Sequence, residues 1–179
     1  MTIIVEGPDG SGKTTLITQL LRDIPKLDMH PKFVGSDMGG RDNMLRKVWA
    51  ACNHTRWQDL YDRHPYISEY VMSPVLNRPL APGFSHPSNR GPRNELLRTS
   101  LLILCLPPMG IVEESVTRPG NNQPQEVAWN IRGLYVAYQQ LIVTHPYPEN
   151  LYVYDYTNPF SVENLTDTVR AYLKEHIPA

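Results

Sequence analysis

The sequence predicts an α/β domain: an open, central sheet of five parallel strands with helices on both faces, in a single domain over residues 1–179. Three observations lead there. Short apolar, β-branched runs alternate along the chain with segments of helical periodicity, the order that gives parallel strands joined by crossover helices. The first run, Thr2 to Glu6 (TIIVE), stops at a glycine and leads into a helical pattern. The most apolar run, Ser100 to Leu106 (SLLILCL), is bounded by Pro107-Pro108 and is short for a helix, so it reads as a central strand covered on both faces.

Each element follows from its pattern. Leu16, Ile17, Leu20 and Leu21 recur at helical spacing from Lys13 to about Arg22, and Pro25 ends the run. Lys32 to Val34 is read as a second strand, closed by Gly35-Ser36-Asp37 and Gly39-Gly40. Met44, Leu45, Val48, Trp49 and Cys52 share one face of a helix over Arg41 to Cys52. Asp59 to Arg63 reads as the end of a strand, and Ile67 to Leu76 as a further helix. Prolines at 79, 82, 87 and 92 then keep the stretch to about Asn94 from holding regular structure for long. Thr117 to Gln125 is a polar, turn-rich loop. Glu126 to Thr144 is a long amphipathic helix with Ile131, Leu134, Tyr135, Tyr138, Leu141 and Ile142 on one face. Leu151 to Tyr154 is the last strand, and Ser161 is the expected N-cap of a closing helix carrying Leu165, Val169, Tyr172 and Leu173.

Composition narrows the function classes. With 41% hydrophobic residues, 179 positions fill one core. Seventeen Lys plus Arg against eighteen Asp plus Glu give a net charge of -1, so no global basic field marks a bulk nucleic-acid binder. No apolar run approaches the roughly 20 residues of a membrane span, and no basic stretch leads into an apolar signal segment. No membrane partner and a cytoplasmic location are expected. Cys52 and Cys105 are too few and too far apart for a disulfide framework and read as small buried side chains. Seventeen prolines, about twice the average usage of roughly 5%, cluster in connections and imply shaped loops.

The chemistry starts at Gly7-Pro8-Asp9-Gly10-Ser11-Gly12-Lys13-Thr14, a match to G-x-x-x-x-G-K-[ST], the phosphate-binding Walker A pattern. It sits between a strand and a helix, as that motif requires. Glycines let backbone N–H groups curl around phosphate oxygens, and the helix N-terminus turns partial positive charge toward them. Gly7, Asp9, Gly10, Ser11, Gly12, Lys13, Thr14 and Thr15 are therefore the expected ATP contacts. Lys13 brings a full charge to the β and γ phosphates, and the Thr14 hydroxyl is a ligand for Mg2+.

The loop EGPDGSGKTT, with the acid Asp9 inside it, and the later Asp62-Arg63-His64 resemble the thymidylate kinase-like group of P-loop nucleotide kinases. The strand SLLILCLPP, Arg118 in a turn-rich segment, and the helix IRGLYVAYQQL behind it extend the resemblance over most of the chain. It implies a P-loop kinase fold, a lid-like segment at about 113–125, and adenine held by the loop Tyr154-Asp155-Tyr156-Thr157-Asn158. The pattern DRHPYISEYV, with TRPG and NIRGLYVAY after it, also resembles kinases encoded by bacteriophages, some of which accompany thymine-modifying enzymes. A phage gene would place the protein in the host cytoplasm.

The acceptor decides the function of a phosphoryl-transfer enzyme, since the protein's task is to position two substrates and neutralise charge. Thymidylate kinases follow the second strand with Arg-Glu-Pro, whereas the corresponding stretch here reads Phe33-Val34-Gly35-Ser36-Asp37. Arg41 or Arg63 substitutes for the missing arginine, or the acceptor presents a hydroxyl. Asp62, at the carboxyl end of a strand, is positioned to take a hydroxyl proton or to hold Mg2+ through water. Asp9 is the second candidate carboxylate, resembling the acid that contacts the acceptor sugar. The expected catalytic set is Lys13, Asp62, Arg63 and Arg118, with Thr14 and Asp62 at the metal. Asp9, Arg63, His64, Ser68, Glu69 and Arg132 are the expected acceptor contacts. For His64 a backbone-bonded loop residue is the plainer reading, and for Arg132 a helix-surface ion pair.

Arg78, Arg90, Arg93 and Arg98 face a single acid, Glu95, between Val71 and Val112. This Pro- and Arg-rich loop at about 77–94 reads either as a solvated loop or as a grip on acceptor phosphates or a DNA backbone. Tyr135 and Tyr138 follow the core phase of their helix, with packing ahead of base stacking. The expected activity is ATP- and Mg2+-dependent transfer of the γ-phosphoryl group to a thymidine-type nucleotide such as dTMP. The alternatives are a 5-hydroxymethyluracil acceptor, in DNA or in a nucleotide, and a nucleotide-hydrolysing switch. Association into a homodimer is open.

Overall fold

The computed structural model of the chain describes residues 2–30, 40, 43–44, 46–47, 59–80, 84, 90–120 and 125–176. Its strands are β1 (Thr2–Glu6), β2 (Asp28–Met29), β3 (Asp59–Asp62), β4 (Ser100–Cys105) and β5 (Leu151–Tyr154). They form one sheet in the order β2-β3-β1-β4-β5, and every neighbouring pair is parallel. β1 and β4 are buried at every position, which is what the middle of a parallel sheet demands of its sequence. The described residues thus form a sheet of five parallel strands, the number and pairing expected from the sequence.

Alternation along the strands separates two cores. Ile3, Val5, Leu60, Leu101 and Ile103 face α1 (Lys13–Asp23) and α7 (Pro159–His176), meeting Leu16, Leu20, Leu165 and Val169. Ile4, Tyr61, Leu102 and Leu104 face the opposite side. That side is covered by α2 (Pro65–Val75), α3 (Arg90–Thr99), α4 (Met109–Thr117) and α6 (Ile131–Thr144), through residues including Ile67, Leu97, Val112 and Tyr138. A short α5 (Gln125–Trp129) precedes α6. Each fully buried aliphatic side chain is worth roughly 1.5–3 kcal/mol relative to exposure, so the two layers fix the carboxyl ends of β1, β3 and β4 side by side.

Several boundaries differ from the sequence reading, each for a local reason. A strand that the sequence reading did not give lies at Asp28–Met29, and His30 N–H continues its pairing by donating to the Leu60 carbonyl; the strand expected at 32–34 falls outside the described residues. A two-residue strand is too short to write a periodic hydrophobic pattern. Residues 31–39, and most of the helix expected over 41–52, lie outside the described residues. The helix expected over 126–144 is divided at Asn130, whose side chain donates to the Glu126 carbonyl and competes with the helical ladder. The closing helix begins at Pro159, with the Asn158 side chain accepting from Phe160 N–H, while Ser161 Oγ accepts from Asp155 N–H. Helix α3 starts at Arg90, inside the stretch read as irregular; its Pro92 falls in the first turn, where a missing N–H breaks no helical bond. Nothing in the sequence reading anticipated α4.

Candidate active site

The phosphate loop forms because β1 ends against β4. A Cβ on Gly7 would lie 2.5 Å from the Cys105 carbonyl oxygen, so only glycine leaves room for the chain to turn there. Gly12, at φ 85, is the N-cap of α1, and a Cβ there would lie 3.0 Å from the Tyr156 ring. No side chain caps the first turn of α1. Its amides and helix dipole are thus arranged as in known anion sites. Ser11 Oγ is buried without a partner in the same loop. Ser115 and Val116, at the end of α4, close the loop from the side of Gly10.

Lys13 lies across this loop, donating from Nζ to the carbonyls of Gly7 at 3.0 Å and Pro8 at 2.6 Å. Burial, reinforced by the Arg63 charge, lowers its proton affinity to about 8, against the pull of Asp9, Cys105 and Asp62. Asp62 is opposite Val5 in the register and two residues beyond Leu60, which packs under α1. Its side chain is therefore on the α1 face of β3, close enough to be felt at Lys13.

Arg63 follows with φ 65, a left-handed conformation that costs a non-glycine residue roughly 1–2 kcal/mol. The turn sends its guanidinium back over the phosphate loop, where Nη2 donates to the Gly7 carbonyl at 3.1 Å and to Asp9 Oδ1 at 2.8 Å. Burial opposes its charge, but Tyr138, Asp9, Glu6 and Asp62 together raise its proton affinity above the ordinary guanidinium range. Lys13, Asp9, Asp62 and Arg63 thus meet at the carboxyl edge of β1 and β3.

The sequence reading missed Glu6. It is 0% exposed, with Oε1 accepting from His64 N–H at 2.8 Å and Oε2 from the Tyr138 hydroxyl at 2.9 Å. Burial raises its carboxyl to about 7, in spite of Arg63, His64 N–H, Tyr138 and Lys13, which all favour the anion. The available signal was a charged residue closing a strand otherwise buried on both faces. Tyr138, read as core, is indeed buried, but its hydroxyl serves this carboxyl.

The remaining candidates are spread out. His64 is buried, and its Nδ1 accepts from Tyr66 N–H as the cap of α2; burial, then the charge of His30, holds its proton affinity down at about 3, so the ring is neutral. Ser68 Oγ donates to the His64 carbonyl, and Glu69 accepts from Ser73 Oγ with Arg78 at 3.9 Å; both side chains are buried. Arg118 ends α4, 68% exposed and paired with Glu114 at 3.1 Å. Arg132, on the first turn of α6, is 79% exposed and paired with Glu113. Thr14 and Thr15 are exposed on the first turn of α1. Arg93 donates to the Tyr66 carbonyl and stacks on Tyr70, and Arg98 pairs with Glu95. Three arginines of the basic stretch, Arg78 among them, are therefore engaged within the protein.

Among the described residues, no group of three His, Cys, Asp or Glu side chains could hold a metal alone. Mg2+ in phosphoryl-transfer sites takes one or two carboxylates together with substrate phosphates, so the hydroxyl of Thr14 and the carboxylate of Asp62, flanking Lys13, suit that ion. No described helix is long and apolar enough to cross a membrane.

No protein-family model and no curated protein sequence matches the chain. Solved structures do. The YorR protein of Bacillus subtilis, in complex with phosphorylated GDP, is 15% identical with a TM-score of 0.71, covering 100% of both chains. Deoxyadenosine kinase from M. mycoides, with the products dCMP and a flexible dCDP, is 12% identical with a TM-score of 0.60, over 96% of this chain and 99% of that one. The same enzyme with bound dATP gives 12%, 0.57, 95% and 100%. These likenesses, together with the phosphate loop and the strand order, identify the fold of this chain as that of the P-loop kinases.

Proposed function

We propose that this chain is an ATP- and Mg2+-dependent kinase whose acceptor is a thymidine-type deoxynucleotide, dTMP being the first candidate. The observation that carries the reading is the meeting of the phosphate loop with Asp62 and Arg63, the latter bonded to both Gly7 and Asp9. A switch that only hydrolyses nucleotide leaves that second group of residues without a task. Likeness to a deoxyadenosine kinase supports a small nucleoside or nucleotide acceptor. The thymidylate kinase-like assignment and a phage origin rest on the residue patterns EGPDGSGKTT and DRHPYISEYV.

In this reading Lys13 exchanges the Gly7 and Pro8 carbonyls for the β and γ phosphates. Thr14 and Asp62 would hold Mg2+, whose charge would offset that of the phosphate oxygens. An acceptor oxygen attacks the γ-phosphorus while the bond to the bridging oxygen breaks and ADP leaves. Such a reaction is catalysed chiefly by positioning and electrostatics. Arg63 and Arg118 contribute positive charge. For Arg118 this requires leaving Glu114, an exposed pair worth about 0–1 kcal/mol, so the phosphate is a competitive partner.

A second reading, a hydroxyl acceptor on a deoxynucleoside, is favoured by the same deoxyadenosine kinase likeness and gives Asp62 the role of proton acceptor. A 5-hydroxymethyluracil acceptor in DNA stays in the comparison: Arg93 is bonded to the Tyr66 carbonyl, but Arg98 sits in an exposed pair with Glu95 that a phosphate can displace. The test incubates labelled ATP with deoxynucleoside monophosphates, deoxynucleosides, and DNA carrying thymine or 5-hydroxymethyluracil. Label on dTMP supports the first reading and label on a deoxynucleoside the second. Label on DNA alone, or free phosphate alone, overturns both.

A further inference from the structure

Arg63 holds a conformation that non-glycine residues avoid, and besides the α2 cap bonds at His64 two backbone donors tie the turn to β1. Its own N–H donates to the Val5 carbonyl at 3.0 Å, and the next N–H, of His64, donates to Glu6 Oε1 at 2.8 Å. The second bond is made to a side chain, and that side chain is fixed from a third element: the Tyr138 hydroxyl on α6 donates to Glu6 Oε2 at 2.9 Å. Glu6 and Tyr138 are both 0% exposed, so neither touches a substrate bound at the surface of the site. A charged group in the middle of a parallel sheet is costly to bury, and an apolar residue would serve the core better if packing were its only task.

We infer that Glu6 and Tyr138 are positioning residues for Arg63. The hydroxyl orients the carboxyl, the carboxyl holds the backbone at His64, and the corner between β3 and α2 keeps its left-handed turn. The guanidinium then stays over Gly7 and Asp9 before any nucleotide arrives. Residues that hold an active-site group in a strained geometry through surrounding bonds form a recurrent arrangement. The inference rests on the reading of Arg63 as a group of the phosphoryl-transfer site.

The experiment is a double-mutant cycle between Tyr138→Phe and Arg63→Ala, read by calorimetric affinity for ATP with Mg2+ in the absence of acceptor, and by kcat and KM of transfer. Tyr138→Phe keeps the ring and removes one bond to a charged group, so a loss of about tenfold in ATP affinity or kcat is expected. In the Arg63→Ala background the same change should have almost no effect, because two changes that act through one group do not add. Glu6→Gln, which keeps an acceptor for His64 N–H, should stay within about threefold of the unaltered chain. Glu6→Leu should match Arg63→Ala. Full additivity of the two substitutions, or Tyr138→Phe lowering Tm while leaving affinity and kcat untouched, overturns the inference. An acceptor panel that fails beside a non-additive ATP cycle overturns the kinase reading and leaves the positioning role standing.

Discussion

Glu6→Gln should make the protein's stability less dependent on pH, and the size of the effect follows from the carboxyl's surroundings. Burial lifts Glu6 from 4.5 to about 7, while Arg63, the His64 N–H, Tyr138 and Lys13 pull the other way and keep it from rising further. At ~1.4 kcal/mol for each pH unit, ionising this carboxyl inside the fold costs about 3 kcal/mol more than ionising it in the unfolded chain. The folded value lies above the unfolded one. The contribution is therefore fully present below about pH 4.5 and is lost as pH rises through about 7. Gln has nothing to ionise and an amide oxygen for His64 N–H. Urea unfolding of both proteins at half-unit steps from pH 5 to 8 isolates the difference, since all other titrating groups are common to both. The unaltered chain should lose about 2–3 kcal/mol relative to Glu6→Gln over that range. Curves that stay parallel within about 0.5 kcal/mol would refute the burial argument.

Other outcomes follow from the same geometry. Lys13→Ala should abolish transfer while the far-ultraviolet circular dichroism is retained, because among the described residues the ammonium bonds to two loop carbonyls and to no element of the core; activity in that variant would remove the loop from the mechanism. Since the Lys13 ammonium loses its proton at about 8 in the free protein, ATP affinity should weaken as pH rises from 8 toward 10, and a flat calorimetric profile would contradict this. Arg118→Ala should lower kcat by about a hundredfold or more, the range for removal of a charge-stabilising donor, with Tm unchanged because its partner Glu114 is equally exposed. Gly7→Ala should yield a protein that neither binds ATP nor melts normally, because the added methyl meets a backbone oxygen of β4 at 2.5 Å.

The sequence carried the fold wherever burial wrote a periodic pattern. TIIVE and SLLILCL became β1 and β4, and the phases of α1, α6 and α7 came through because each buries a continuous stripe. Patterns failed where the element is too short to show a period, as at Asp28–Met29, or where one side chain breaks a longer run, as at Asn130. Within the site, spacing disclosed the phosphate loop, and the Arg63 guanidinium bonds to it at Gly7 and Asp9. What spacing could not disclose was contact between distant elements. Glu6 and Tyr138 are 132 positions apart, and only the sheet brings them together. His64 follows its plainer reading: next to two site residues in the chain, it turns inward to cap a helix.

The carbonyl that abuts Gly7 belongs to Cys105, whose sulfur is wholly enclosed and whose thiol is pushed up to about 12 by its seclusion. Alkylating reagents attack the thiolate, so this side chain should be unreactive in the native protein and become modifiable only when the centre of the sheet parts. The peptide bearing it is a built-in reporter: its rate of modification in mass spectrometry clocks the opening of the molecule behind the nucleotide cradle, with no label to engineer.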